Sequence, residues 1–184
     1  MKKVLFTAII AIASVNVNAQ AEKHFELEID PIAYVLGGAS GHAAFTWKNE
    51  RFQLGYAQLS MPEALRNHEN LSESFKSISL KWDYFFGKHN ANQGFFVGPT
   101  FDYLFLTYED EFSETYKEDQ LSLGVRGGYK FDLFKKSKAF NGLYVTPWLG
   151  VSAFTKSKDI EVGGKTYTRK PISIFPTVHL GWSF

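Results

Sequence analysis

Cysteine is absent from the 184 residues. That excludes disulfide staples, thiol chemistry and a lipid anchor on an N-terminal cysteine. After the first twenty or so residues there is no second run of 18 apolar residues, so a helical membrane protein is excluded too. Charge of either sign is not in excess: 20 Lys and Arg against 19 Asp and Glu leave a net +1, which gives a nucleic acid no footprint. The five histidines, His24, His42, His68, His89 and His179, show no metal-ligand spacing, so neither a metal site nor a cofactor is expected.

What is abundant is aromatic. The chain carries 18 Phe, 9 Tyr and 4 Trp beside 15 Gly, a mixture that suits many twisted strands better than helices. The beginning is different in kind. Lys2 and Lys3 precede the apolar stretch VLFTAIIAIASV, and NVNAQA then offers small residues for a signal peptidase. The stretch is too short for a membrane span, so residues 1–21 read as a cleaved export signal and 22–184 as one domain of about 165 residues.

Within that domain the dominant signal is alternation with a period of two. Eight segments carry it: HFELEIDPIAYV, GHAAFTWK, RFQLGYAQLS, FKSISLKWDYFFG, GFFVGPTFDYLFLTY, DQLSLGVRGGYKFDL, LYVTPWLGVSAF and TRKPISIFPTVHLGWSF. Between them, Asn49-Glu50, GKHNANQ and KKSKAFN read as short turns at one rim. SMPEALRNHENLSES, EDEFSETYKE and TKSKDIEVGGKTY read as longer polar loops at the other, with GGAS a short first one. An even number of strands with short turns at one end and longer loops at the other predicts an all-β, eight-stranded antiparallel up-and-down transmembrane barrel.

Alternation alone does not say which face is inside. One face is long and aromatic: Phe95, Val97, Phe101, Tyr103 and Phe105 in the fifth segment, Leu121, Leu123, Val125, Tyr129 and Phe131 in the sixth. The other mixes charge with very small residues, as in Ser122, Gly124, Arg126, Gly128 and Lys130. Water would favour long Lys and Glu with little Gly there. An eight-strand lumen is only just wide enough for side chains and wants the observed mixture, so the apolar face points to lipid.

The last nine residues, PTVHLGWSF, then make sense. Val178, Leu180, Trp182 and Phe184 form the lipid-facing row of the final strand. A terminal Phe behind apolar residues at every second position resembles the C-terminal signal that the barrel-insertion machinery reads. The whole pattern resembles the small OmpA/OmpX-type barrels of bacterial outer membranes. That resemblance implies a monomer in the outer membrane, in contact with its lipids and lipopolysaccharide, with both termini periplasmic and the longer loops outside.

The inward rows propose two sites. The first is a charge network of Glu26, Glu28, Asp30, Arg51, Lys81, Asp83, Asp102, Arg126, Lys130 and His179. Buried charges are tolerated only when paired, so both signs in one lumen read first as an electrostatic plug and second as a proton or ion relay. The second is an upper apolar cavity at Leu104, Leu106, Phe154 and Phe175, against which stands simple packing of the barrel top. Asp30-Pro31, Pro99, Pro147 and Pro176 fall inside the strand segments, and each removes a ladder donor or marks a bulge.

Such a weakened wall resembles the lipid A palmitoyltransferase family, whose proline-flanked gaps admit lipid. Of that family's catalytic group only the pair Ser40 and His42 in GGASGH has a counterpart, and Ser and His this close in a glycine-rich turn are usually turn residues, so no catalytic residue is assigned. Two functions follow: an envelope barrel with a structural or interaction role and no open pore, or a barrel that handles a lipid or another apolar ligand.

Overall fold

The computed structural model describes residues 23–61, 71–86, 93–110, 112, 114–134, 141–156, 159–168 and 170–184. The export signal expected at 1–21 lies outside them, and so does most of the polar loop SMPEALRNHENLSES. Eight strands close into one antiparallel barrel: β1 (Lys23–Ile29), β2 (Ala39–Trp47), β3 (Glu50–Ser60), β4 (Leu71–Phe86), β5 (Gly94–Asp110), β6 (Thr115–Asp132), β7 (Leu143–Phe154) and β10 (Ile172–Ser183). Sequence neighbours pair throughout, and β1 meets β10 at the seam. Closure removes the open edges except where β1 stops short of β10, in keeping with what a sheet in hydrocarbon requires.

The faces sort as their chemistry dictates. Phe52, Leu54, Tyr56, Leu80, Trp82, Phe101, Tyr103, Leu123 and Val125 are exposed on the outside, while Arg51, Gln53, Asp83, Arg126 and Lys130 are buried inside. Aromatic rings concentrate in the belt near the termini, where Phe25 packs on Phe45, Phe52 stacks on Trp82, and Phe95 meets Tyr129. Girdles of this kind flank the apolar band of transmembrane barrels.

Three departures from the sequence reading matter. The first strand ends at Ile29, and PIAYV forms a short helix, α1 (Pro31–Val35). Asp30 is its N-cap: its carboxylate accepts from the backbone N–H of Ile32 and Ala33, and Pro31 sits in the first turn, where a missing N–H costs nothing. Pro31 therefore removes no ladder donor. The turn between β2 and β3 is Lys48-Asn49, since Trp47 pairs with Glu50, and Lys48 takes a positive φ of 56°.

The third departure is in the last long loop, which is not irregular. It carries a small hairpin, β8 (Ile160–Val162) and β9 (Lys165–Tyr167), turning on Gly163 and Gly164, both at positive φ.

The wall is uneven in height. β4, β5 and β6 run for 16, 17 and 18 residues, against 7 for β1 and 9 for β2. About 9–11 tilted residues cross a bilayer, so the three long strands project beyond it as a sheet. The inner side of that projection is apolar and is covered by the hairpin: Leu71, Leu106 and Tyr108 bury against Ile160 and Val162, with Phe75, Leu104, Tyr116 and Tyr167 around them.

Candidate functional site: the charged lumen and the wall around it

Period-two geometry brings the inward charges to one level from strands far apart in sequence. Glu26 and Glu28 come from β1, Arg51 and Gln53 from β3, Asp83 from β4, Arg126 and Lys130 from β6, Tyr144 from β7 and His179 from β10. Each of these side chains is at most 2 % exposed. Asp83 sits between two guanidiniums: its Oδ1 accepts from Arg126 Nε at 2.8 Å, and its Oδ2 from Arg126 Nη2 at 2.6 Å and Arg51 Nε at 2.9 Å.

Arg51 reaches on to Glu28 at 2.9 Å and to Glu26 at 3.4 Å. Lys130 Nζ donates to Glu26 at 2.5 Å. The Tyr144 hydroxyl, 2.9 Å from a carboxylate oxygen of each glutamate, shares its one proton between them. Gln53 completes the circuit, donating to Glu28 and accepting from Arg126 Nη2 at 3.0 Å.

In this cluster Arg51, Arg126 and Lys130 stand against Glu26, Glu28 and Asp83, so formal charge balances. Balance and dense hydrogen bonding together let charges sit in a low-dielectric interior. Aromatic faces supply the remaining contacts. Phe85 and Phe96, 1 % and 3 % exposed, point inward, and Arg51 lies 5.3 Å from the centre of each ring. Arg126 lies over Phe96 and Trp148, and Lys130 over Tyr144 at 3.9 Å.

The other expected members of the network lie higher. Glu28 accepts from His179 Nδ1 at 2.8 Å, which places the ring proton on Nδ1, and the His179 ring stacks on His42 with centroids 4.5 Å apart. Asp30, on the helix cap rather than in the strand, accepts from the Thr177 hydroxyl at 2.7 Å. Its backbone N–H donates to Ser40 Oγ at 2.6 Å, so Ser40 is held by Asp30 while His42 stacks on His179. Lys81 is buried on β4 with Nζ 5.4 Å from the Trp148 ring centre, and Asp102 is half-buried on β5.

The four positions of the expected upper cavity are not brought together. Leu104 and Leu106 belong to the apolar cluster beneath the hairpin. Phe154 is half-buried on β7, and Phe175 packs on Trp148 at 5.9 Å between ring centres. The reason is the hairpin, which fills the space that bare inward rows of β5 leave open.

Sequence reading missed Phe85, Phe96, Gln53, Thr46 and Tyr144 as lumen residues. Parity held the signal: Phe85 is two residues beyond Asp83, Phe96 two before Gly98, and Tyr144 two before Thr146.

The outer row of the last strand is as its alternation requires. Val178, Leu180, Trp182 and Phe184 lie on the outward face, and the Phe184 N–H donates to Phe25 O at 2.8 Å, extending the seam to the last residue.

No family model matches the chain, and no curated protein matches it in sequence. Solved structures do match in shape. Neisserial surface protein A aligns with a TM-score of 0.55 at 11 % identity, over 90 % of this chain and 98 % of that one. A major outer membrane protein from Thermus thermophilus aligns with a TM-score of 0.51 at 13 % identity, over 90 % and 100 %. The fold is that of the small outer-membrane β-barrels. At these identities the likeness is one of architecture, and it agrees with the apolar exterior and charged interior built up above.

Proposed function

We propose that this protein is an integral outer-membrane barrel with a structural or interaction role in the cell envelope and no open pore. One observation carries the reading: the charge cluster spans the lumen from Glu26 on β1 to Asp83 on β4 and Arg126 on β6, with every member buried. Eight strands enclose a bore that side chains fill, and here paired charges do much of the filling. The projecting β4–β5–β6 sheet, stiffened by its hairpin, is the surface offered to partners. Lipopolysaccharide faces the upper rim, the barrel-insertion machinery reads Val178, Leu180, Trp182 and Phe184, and the barrel is a monomer.

Conductance across a planar bilayer containing the purified protein tests the closed lumen. A flat trace at applied voltages of either sign is expected. Regular unitary steps from the wild-type barrel would overturn the reading.

A further inference from the structure

The lipid-facing wall is not uniformly sealed. β1 pairs with β10 over only four residues, Glu26–Ile29 against Ser183–Leu180, because β1 stops where α1 begins. Above Leu180 the seam side of β10 is therefore covered by α1, not by a strand. On its other side β10 pairs with β7, and here two prolines lie in register with apolar partners: Pro147 opposite Val178, and Pro176 opposite Leu149. The next ladder, β6 with β7, skips the two pairs between Gly128–Trp148 and Phe131–Val145, at the level of Pro147. Gly127, on the outward face of β6 opposite Leu149, adds no side chain at all.

These features lie side by side and make a recess of about 550 Å³ in the outer wall, lined by Ile32, Gly127, Pro147, Leu149, Pro176 and Val178. The recess is shallow and open to the bilayer, so it suits a chain laid along the wall rather than an enclosed ligand.

Three facts select the occupant. The recess opens on the outer, apolar face, continuous with exposed Ile172, Ile174 and Val151. Its depth in the membrane is the middle of the apolar row that runs down β10 from Ile172 to Trp182, where a bilayer presents chains and not headgroups. Its lining is mostly apolar, and Pro147 and Pro176 present ring carbons to it rather than N–H groups. We propose that this recess is a seat for one acyl chain of a membrane phospholipid. The chain lies across β6, β7 and β10 with its end against Ile32, so it also packs on the helix that closes the seam. This inference rests on the membrane placement given above and goes beyond it, assigning a defined lipid site to one sector of the wall.

The test uses the full barrel, reconstituted in vesicles of dioleoyl phosphatidylethanolamine and dioleoyl phosphatidylglycerol, then extracted in mild detergent for native mass spectrometry. Gly127→Leu fills the recess from its floor, and a Cβ there meets nothing nearer than Phe96 O at 3.4 Å, so the strand accommodates it. Val178→Trp fills it from the side, and Leu54→Trp enlarges an outward residue of β3 remote from it. Heat-modifiable gel mobility reports that each variant is folded.

The wild type and Leu54→Trp should retain one phospholipid per barrel, and Gly127→Leu and Val178→Trp should retain none. An inserted, folded wild type without phospholipid, or equal retention by all four proteins, overturns the seat and leaves the membrane placement intact. Failure of the wild type to enter the vesicles overturns the placement itself, and the seat with it.

Discussion

Asp83 is the residue whose loss the lumen should feel most. It is the one carboxylate shared by two guanidiniums, taking three hydrogen bonds at 2.6–2.9 Å from Arg51 and Arg126. All three side chains are completely buried. Asp83→Ala removes the anion and leaves two cations facing each other across a gap of one residue. Breaking a buried pair from one side costs about 3–5 kcal/mol, most of it the cost of the charge left behind. Two stranded guanidiniums place this site at the upper end, softened by whatever Arg51 retains from Glu28.

The assay is reversible urea unfolding in lipid vesicles, followed by tryptophan fluorescence. Arg126→Met paired with Asp83→Leu supplies the decisive comparison. With both charges gone, the remaining set of Arg51 and Lys130 against Glu26 and Glu28 is again balanced. The double variant should therefore lose at least 2 kcal/mol less than the sum of its two single losses, within the range of about 0.5–3 kcal/mol seen for coupled neighbours. A loss below about 1 kcal/mol for Asp83→Ala, or single losses that add within about 0.5 kcal/mol, would refute the account of the lumen as an interlocked charge plug.

Gly98→Ala should destabilise by about 1–3 kcal/mol in the same unfolding assay, because its new Cβ would lie 1.7 Å from Trp82 O, whereas Gly41→Ala meets nothing within 4 Å and should be neutral. Replacing Gly163 and Gly164 together by Ala forces two residues into the left-handed region at about 1–2 kcal/mol each. Limited proteolysis between residues 156 and 170 should then speed up while the barrel stays folded. Asp30→Ala removes the cap of α1 and the acceptor of Thr177, worth about 0.5–2 kcal/mol for the cap alone, and hydrogen exchange at Ile32 and Ala33 should rise well before the strands open. Deleting Phe184 should slow insertion by purified insertion machinery, read as the rate at which heat-resistant folded species accumulate; an unchanged rate would show that the terminal aromatic is not what is recognised.

The faces of this barrel were legible because alternation is a local property. A residue's side follows from the parity of its position along a strand, and Arg51, Asp83, Arg126 and Lys130 all obey it. The partners were not legible. Arg126 meets Asp83 across 43 residues of sequence, and Tyr144 meets Glu26 across 118. Those pairings depend on how far each strand is staggered against the next, which parity does not contain. Register also decided the fate of Leu104 and Leu106: an inward apolar pair looks the same in sequence whether it lines a cavity or lies beneath a hairpin.

The hairpin did have a local signal. Ile-Glu-Val-Gly-Gly-Lys-Thr-Tyr places two glycines between short alternating runs, and the polar residues around it masked it. α1 was hidden for the opposite reason, since DPIAYV alternates well enough to pass for strand. Only the Asp-Pro pair, a helix start with its cap, argued otherwise.

The position of α1 ties the interior to the wall. In hydrocarbon an unpaired backbone group costs several kcal/mol, so a barrel can end a strand early only if something else covers the neighbour it abandons. Here β1 stops at Ile29, and the cover is a five-residue helix too short to be stable alone. What holds it is polar and internal: Asp30 caps the helix, takes the Thr177 hydroxyl from β10, and gives its N–H to Ser40 on β2, while the Tyr34 hydroxyl donates to Ser40 O at 2.6 Å. One residue thus pins the patch to both strands that flank the opening, its carboxylate to β10 and its backbone N–H to β2. Directly below it, Glu28 anchors the same strand to Arg51 and His179. The charge that looks like filling from the lumen is, at this seam, what keeps the wall shut to the bilayer. The four-residue seam, the two prolines of the β7–β10 pair and the recess thus fall in one sector of the wall, and Asp30 is what ties the cover of that sector to its flanking strands.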